Sequence, residues 1–394
     1  MLADQLLPTE ATKPGLSACG NCPRDHACGT VSPHHRPTSR RLSHAATAAE
    51  PSHKSTDTDR VRTFAYTVDH ESLMPGVKAV VKHYFPSWDV EKDVKLVQCT
   101  AGITNKLVRC IHKPSDFSVL VRIYGKGSDV LIDRSQELLN LLTLSSLGLS
   151  PPIFGRFENG LVYGFVPGDQ FSGEDMRDPH KGILVATQLA RWHRVELPGT
   201  DATPKLFSTM WRWLEEVPEK YTDPGKNARF HQAFEMPALK RELAELQTAL
   251  EAVRGKVGFC HNDLLSGNII ATTHGVEFID YEYGTINYRA FDIANHFCEH
   301  AGFECEWGLY PAKEVQLPWL RTYLESSNRT VLVEDAEVEA LYREVAKFSL
   351  AAHFFWAIWA LVQAEISDLD FDYLEYSITR LQYMRTVKDA YLAL

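Results

Sequence analysis

The stretch "CHNDLLSGNII", residues 260–270, sets His261, Asp263 and Asn268 within eight positions, just ahead of a short apolar run. Asp280 follows seventeen residues after Asp263, inside the strand-like stretch "VEFIDYEYG". Together these groups suit phosphoryl transfer. One carboxylate must receive the proton of an attacking hydroxyl, while an asparagine and a second carboxylate hold the Mg²⁺ that bridges phosphate oxygens. Asp263 takes the first role in this reading, and Asn268 and Asp280 take the second. A D-x₄-N spacing alone would equally suit a polar surface turn, so the weight rests on the second aspartate and on what precedes it in the chain.

Such groups need elements that bring a nucleotide to them. "VKLVQCT", "NKLVRCIH" and "SVLVRIYG" are short and β-branched, and read as three strands joined by tight turns. "IDRSQELLNLLTLSSLGL" then has leucines at helical spacing up to Gly148, and "GLVYGFVPG" returns to strand before a Pro-Gly stop. Helical patterns dominate beyond, at residues 180–195, 237–254, 335–364 and 370–392. The expected fold class is α+β: a lobe over residues 61–166 built on a small antiparallel sheet, then a mainly helical lobe over 167–394. In "TAGITNKLVRC", the first turn of the sheet offers the backbone amides of Gly102 to Asn105, with Thr104 between them, as a cradle for phosphate oxygens. A single glycine there is equally compatible with an ordinary hairpin. Arg122 stands in the otherwise apolar "VLVRIYG" and needs a counter-charge, for which Glu137 on the next helix is the nearest candidate. The pair either ties helix to sheet or also sets Arg122 at the nucleotide phosphates. Protein kinases share the D-x₄-N spacing, a later aspartate in the place of Asp280, and a strand lysine in the place of Arg122.

The stretches "GITNKL", "VLVRIYG", "IDR" with Glu137 after it, "CHNDLLSGNII", "IDYEYG", "NYRAFDIANHF", "LYPAKEVQLPWLRTYL" and "HFFWAIWALVQA" together resemble the choline/ethanolamine kinase family, from about residue 61 to the last residue. The resemblance implies a protein-kinase-like two-lobed fold, ATP as phosphoryl donor, Mg²⁺, and an amino alcohol as acceptor. The product would enter the CDP-ethanolamine route to phosphatidylethanolamine. By position it implies that Asp263 is the catalytic base, that Asn268 and Asp280 are metal ligands, and that Arg122, partnered by Glu137, contacts phosphate. Tyr283, Trp356 and Trp359 resemble the family's aromatic box, with Glu282 and Glu299 supplying charge. Trp356 and Trp359 are three apart and share a helix face, as two core residues also would.

The two candidate acceptors make different demands. Choline's quaternary nitrogen has no N–H to donate and is best met by aromatic faces, whereas the ethanolamine ammonium has three donors for carboxylates and hydroxyls. Leu265 stands where choline kinases carry a glutamine, and "HNDLL" resembles the ethanolamine-directed form. Ethanolamine is therefore the expected acceptor, with choline second. A catalytically silent scaffold of the same fold sits badly with an intact Asp263, Asn268 and Asp280. An aminoglycoside-type phosphotransferase would need an open acidic cleft for a bulky polycation.

Composition is consistent with this. The 394 residues are 44% hydrophobic and 11% aromatic, enough for a large core, and the formal charge of −10 argues against a nucleic-acid partner. A small molecule is the expected partner, and a homodimer is a further expectation. Cys99, Cys110, Cys260, Cys298 and Cys305 are scattered singly, which fits a reducing cytoplasm better than a disulfide framework. "FSLAAHFFWAIWALVQA", residues 348–364, falls short of the roughly 20 residues a bilayer needs and contains His353, so a buried core helix is expected and no membrane insertion. Residues 1–60 contain no Phe, Trp or Tyr and read as a disordered tail. Within it, Cys19, Cys22, His26 and Cys28 have zinc-like spacing but no apolar flanks. Asp4, Glu10 and Asp25 weaken an organelle-leader reading, and no secretory apolar stretch is present.

Overall fold

Alternation along one strand sets the architecture of the first half. In a computed structural model, which describes residues 61–99, 105–125, 127–197, 199–327 and 332–394, Val119, Val121 and Ile123 turn to one face of their strand and are fully buried. Leu120 and Arg122 turn to the other face and line a cavity. The expectations placed on residues 1–60, including the Cys/His set, and on Gly102 and Thr104 lie outside the described residues.

The elements of this half are β1 (Thr63–Phe64), α1 (Leu73–Tyr84), β2 (Val94–Cys99), β3 (Asn105–His112), β4 (Phe117–Tyr124), α2 (Arg134–Ser146), β5 (Ile153–Phe157) and β6 (Gly160–Gly164). The strands form one six-stranded sheet in the order β1-β5-β6-β4-β3-β2. The three expected strands are its β2, β3 and β4. The sheet is larger than expected and not wholly antiparallel, because β1 pairs in parallel with β5. α1 was not legible in the sequence: Pro75 and Gly76 look like loop residues, yet proline is tolerated in a helix's first turn. Its Val77, Val80, Val81 and Tyr84 recur at helical spacing and pack on the sheet with Val119, Val121 and Ile123.

The rest of the chain runs β7 (Asp169–Gln170), α3 (Gly173–Arg177), α4 (Pro179–Trp192), α5 (Leu206–Glu216), α6 (Pro224–Ala233), α7 (Met236–Glu251), β8 (Val257–Cys260), β9 (Ile269–Thr272), β10 (Gly275–Phe278), β11 (Thr285–Tyr288), α8 (Arg289–Cys298), α9 (Lys313–Ser327), α10 (Asp335–Ile366) and α11 (Tyr373–Leu392). α10 contains the apolar stretch 348–364, and all of that stretch is buried against α5, α7, α8, α9 and α11. By length and composition α10 as a whole would pass for a membrane span, but 94% of its apolar window is covered by the protein itself. It is the core helix that the sequence reading expects.

Two small antiparallel pairs hold the polar loops. β8 pairs with β11 and β9 with β10, so the β8–β9 loop (261–268) and the β10–β11 loop (279–284) lie side by side. A backbone hydrogen bond from Ile279 N to Asn268 O, 3.0 Å, ties them together. Gly168 lets the chain pass close by: its φ is +148°, and a Cβ there would lie 2.1 Å from Ala271 O.

Candidate active site

Asp292, in the first turn of α8, fixes the start of the 261–268 loop. Its carboxylate accepts the backbone N–H groups of His261 and Asn262, each at 2.7 Å, and sits 3.0 Å from His193 Nε2. Burial pushes this carboxyl up, but the His193 hydrogen bond and the histidine and amide contacts outweigh it and leave it below its ordinary value. Asn262, at φ 65°, turns the chain so that Asp263 faces the cleft. His193, Cys260 and Asp292 bring ligand-type atoms within 4.8 Å of one another. Both oxygens of Asp292 are already engaged, and burial holds the Cys260 thiol well above its usual range, so this is a structural cluster and not a metal centre.

Arg122 is buried and gathers three carboxylates. Its Nη1 lies 2.9 Å from Glu137 Oε1 and 3.0 Å from Asp280 Oδ1, and its Nη2 pairs with Glu282. Arg134 supports the group from α2, 3.0 Å from Glu137 Oε2, and Asn105 Nδ2 donates to Glu282 Oε2 at 2.9 Å. Burial opposes the arginine's charge, yet Asp280, Glu137 and Glu282 together raise its pKa well above the ordinary value. The expected Arg122–Glu137 pair is present as one edge of this larger cluster. Asp280 holds a left-handed backbone, φ 63°, which a non-glycine residue adopts at a cost, and it does so where its carboxylate meets the cleft.

Two cavities meet at these residues. The larger, about 270 Å³, lies under the sheet between Leu107, Leu120, Phe165, Ile270 and Ile279, with Asn105 and Arg122 at one end. The smaller, about 110 Å³, is walled by Tyr283, Phe303, Trp356, Trp359 and Tyr376, with Asp263, Asp280, Glu282 and Glu299 as its acidic groups. Gln170, Gly267, Asn268 and Asp280 line both. Trp356 Nε1 donates to Asn295 Oδ1 at 2.6 Å and Trp359 Nε1 to Tyr283 Oη at 2.8 Å. The indole N–H groups are thus satisfied within the wall, and the tryptophans meet edge-to-face at 5.4 Å.

Asp263 is buried at the mouth of the smaller cavity. Asn268 Nδ2 donates to its main-chain oxygen at 2.8 Å and to its Oδ2 at 3.0 Å. Burial, then the negative charges of Asp280, Glu299 and Glu282, raise its pKa well above the ordinary carboxylate value.

Nearly every described candidate from the sequence reaches this junction. Glu282 requires a correction. It borders the smaller cavity, but its carboxylate is also engaged by Arg122, Arg134 and Asn105, so it belongs to the arginine cluster as much as to that cavity, whose other carboxylates are Asp263, Asp280 and Glu299. Glu299 in turn has a buried partner that the sequence reading missed, Arg380 on α11, at 2.6 Å. Tyr376, one turn before it, and Asp292 were missed as well. In "YLEYSITRLQYM" the four-residue spacing of Tyr376 and Arg380 is visible, but nothing there says which face of the helix is covered.

A match to the choline/ethanolamine kinase family spans residues 96–385. Ethanolamine kinase 2 of Rattus norvegicus is 39% identical over 338 residues, covering 85% of this chain and 86% of the relative. A probable ethanolamine kinase of Nematostella vectensis is 37% identical, covering 84% of this chain and 97% of its own length. Among solved structures, a Plasmodium vivax ethanolamine kinase superposes with a TM-score of 0.72 at 29% identity, over 80% of this chain and 89% of that one. A choline kinase from Cryptosporidium parvum shares the fold, with a TM-score of 0.66 at 24% identity over 80% of this chain and 95% of that one.

Proposed function

The chain belongs to the choline/ethanolamine kinase family, and on that premise we propose that it transfers the terminal phosphoryl group of ATP to the hydroxyl of ethanolamine, with Mg²⁺. The observation that carries this reading is the meeting of a nucleotide-sized cavity and a small aromatic-acidic one at Asn268 and Asp280, with Asp263 beside the junction.

The residues supply the chemistry in order. The apolar walls of the larger cavity take the base, and Arg122 faces the phosphates from the sheet. Asn268 has its amide nitrogen engaged by Asp263, which leaves Oδ1 as its remaining polar atom, and Asp280 retains Oδ2 beyond the oxygen held by Arg122. Two oxygen donors lining the same junction are the donor type a hard divalent cation takes, so the site fits Mg²⁺. Once bound, the ion would neutralise charge on the transferring phosphate. Asp263 accepts the hydroxyl proton as the acceptor oxygen bonds to the terminal phosphorus and the bond to the ADP oxygen breaks. Its raised pKa makes it a better proton acceptor than an ordinary carboxylate, and an arriving ammonium favours its ionised form.

The small cavity favours a short amino alcohol. At about 110 Å³ it is below the roughly 150 Å³ of an engineered cavity that admits benzene. Its acidic groups suit a primary ammonium, while its aromatic wall would also receive choline as a weaker substrate. We place the reaction in a reducing cytosol, on the support of Cys99, Cys110, Cys260, Cys298 and Cys305 all being free thiols.

The test is an assay with ATP and Mg²⁺ against ethanolamine and choline separately, following ADP release and the phosphorylated product. The expected result is turnover with both and a higher kcat/KM for ethanolamine. Absence of turnover with either would remove the enzyme reading, and a preference for choline would reverse the acceptor.

A further inference from the structure

Arg380 is the group behind the acceptor cavity that the phosphoryl-transfer chemistry does not use. It is fully buried on α11, one turn beyond Tyr376. Its Nη2 donates to Glu299 Oε1 at 2.6 Å. Among the described residues its Nε and Nη1 have no hydrogen-bond partner, and the guanidinium lies 4.8 Å from the centre of the Tyr376 ring and 5.8 Å from that of Trp307. Among the described residues, Glu299 is the one carboxylate paired to it. A buried arginine with two idle donors is costly to keep, and its position beneath two walls of one cavity gives a reason to look for its effect there.

Two consequences follow from the geometry. Glu299 is buried and lines the same small cavity as Asp263. The guanidinium fixes Oε1 through its 2.6 Å hydrogen bond, so that Oε2 is the oxygen left to the cavity. The other consequence concerns Tyr376. A cation already lying against its ring draws on the same negative face that a second cation would use, which weakens the ring as a partner for a substrate cation. The first effect strengthens a charge-assisted N–H···O⁻ bond that ethanolamine makes and choline does not. The second takes away from the aromatic attraction on which choline depends.

We propose that Arg380 is a positioning residue that sets acceptor specificity, favouring a primary ammonium over a quaternary one through its paired contacts with Glu299 and Tyr376. The proposal rests on the reading of the small cavity as the acceptor site. It adds that specificity is set partly by a residue that does not line the cavity.

The experiment measures kcat and KM for ethanolamine, choline and ATP in Arg380→Gln, Arg380→Lys, Arg380→Met, Glu299→Gln and the Arg380→Gln/Glu299→Gln double variant, with melting temperature alongside. Arg380→Gln is expected to raise KM for ethanolamine by about tenfold or more, the scale of a lost hydrogen bond to a charged group. KM for ATP should hold, and the ethanolamine-to-choline ratio of kcat/KM should fall. Arg380→Lys should restore part of that ratio. In the double variant the arginine change should add little to Glu299→Gln, because both act through one carboxylate. Equal losses for both acceptors, or unchanged selectivity in a folded Arg380→Gln, would overturn the proposal. Should Arg380→Gln fail to fold, Arg380→Met decides: it keeps an apolar side chain of similar length but removes the cation, so unaltered selectivity there refutes the role. If Glu299→Gln leaves KM for ethanolamine unchanged, it is the acceptor-site reading that fails; if Glu299→Gln raises it and Arg380→Gln does not, the proposal fails alone.

Discussion

Asn268 holds Asp263 twice, with one amide nitrogen 2.8 Å from the main-chain oxygen and 3.0 Å from Oδ2 of the same residue. The five-residue separation of the two becomes a closed turn that orients a carboxylate at one end and leaves an amide oxygen for a cation at the other. A substitution on either side of this contact should therefore separate chemistry from nucleotide binding.

Asp263→Asn keeps the side chain's shape but cannot take up the acceptor proton. Turnover should fall by about 10²- to 10⁴-fold, the usual range for a lost general base, while ATP affinity measured by titration calorimetry stays close to wild type. A kcat near the wild-type value would refute the role given to Asp263.

Asp280→Ala removes a carboxylate from the junction of the two cavities but leaves Arg122 with Glu137 and Glu282, so the fold should persist. Activity at ordinary Mg²⁺ should be lost, and nucleotide binding should no longer strengthen as Mg²⁺ is added. If Mg²⁺ still tightens ATP binding in this variant, Asp280 is not a ligand.

Among the described residues, five buried histidines make stability depend on pH. Burial lowers the pKa of His193, His261, His296, His300 and His353, that of His296 to about 4. Between their folded values and about 6.5 the unfolded chain binds more protons, so stability is complete above about 6.5 and falls as pH decreases below it. Each such histidine contributes a slope of up to about 1.4 kcal/mol per pH unit in that window. His296 Nδ1 lies 3.0 Å from Leu264 O in the 261–268 loop. His296→Asn places an amide donor near that position without a titrating ring, so its melting temperature should fall less steeply between pH 6.5 and 5 than that of the wild type. Parallel curves for the two proteins would contradict the assignment of a neutral buried ring.

Trp359→Ala takes one face from the aromatic wall and leaves the Tyr283 hydroxyl without its 2.8 Å donor. Choline, which depends on such faces, should lose about 0.5 to 2 kcal/mol of apparent binding, and ethanolamine less. Steady-state kinetics with both acceptors gives the comparison; an equal rise in both KM values would make Trp359 a packing residue only.

The sequence by itself determined the chemistry and the element types that carry it. Asp263, Asn268 and Asp280 are legible because their spacing reflects a short turn followed by a hairpin, both local in the chain. Arg122 is legible as a charge in an apolar strand, which needs a partner wherever it folds, and the stretch 348–364 as a helix too apolar to be exposed. Tertiary structure decided what depends on which distant faces meet. Glu282 looked like an acceptor ligand until the fold set Arg122 against it, 160 residues away in the chain. Arg380 was an ordinary residue of α11 until packing buried it beside Glu299, 81 residues earlier. Asp292 gained its role only because α8 begins directly beneath the 261–268 loop. Local spacing constrains the backbone over a few residues, whereas a buried charge is given its partner by the packing of whole elements, and that partner then decides whether the charge faces a substrate or another side chain.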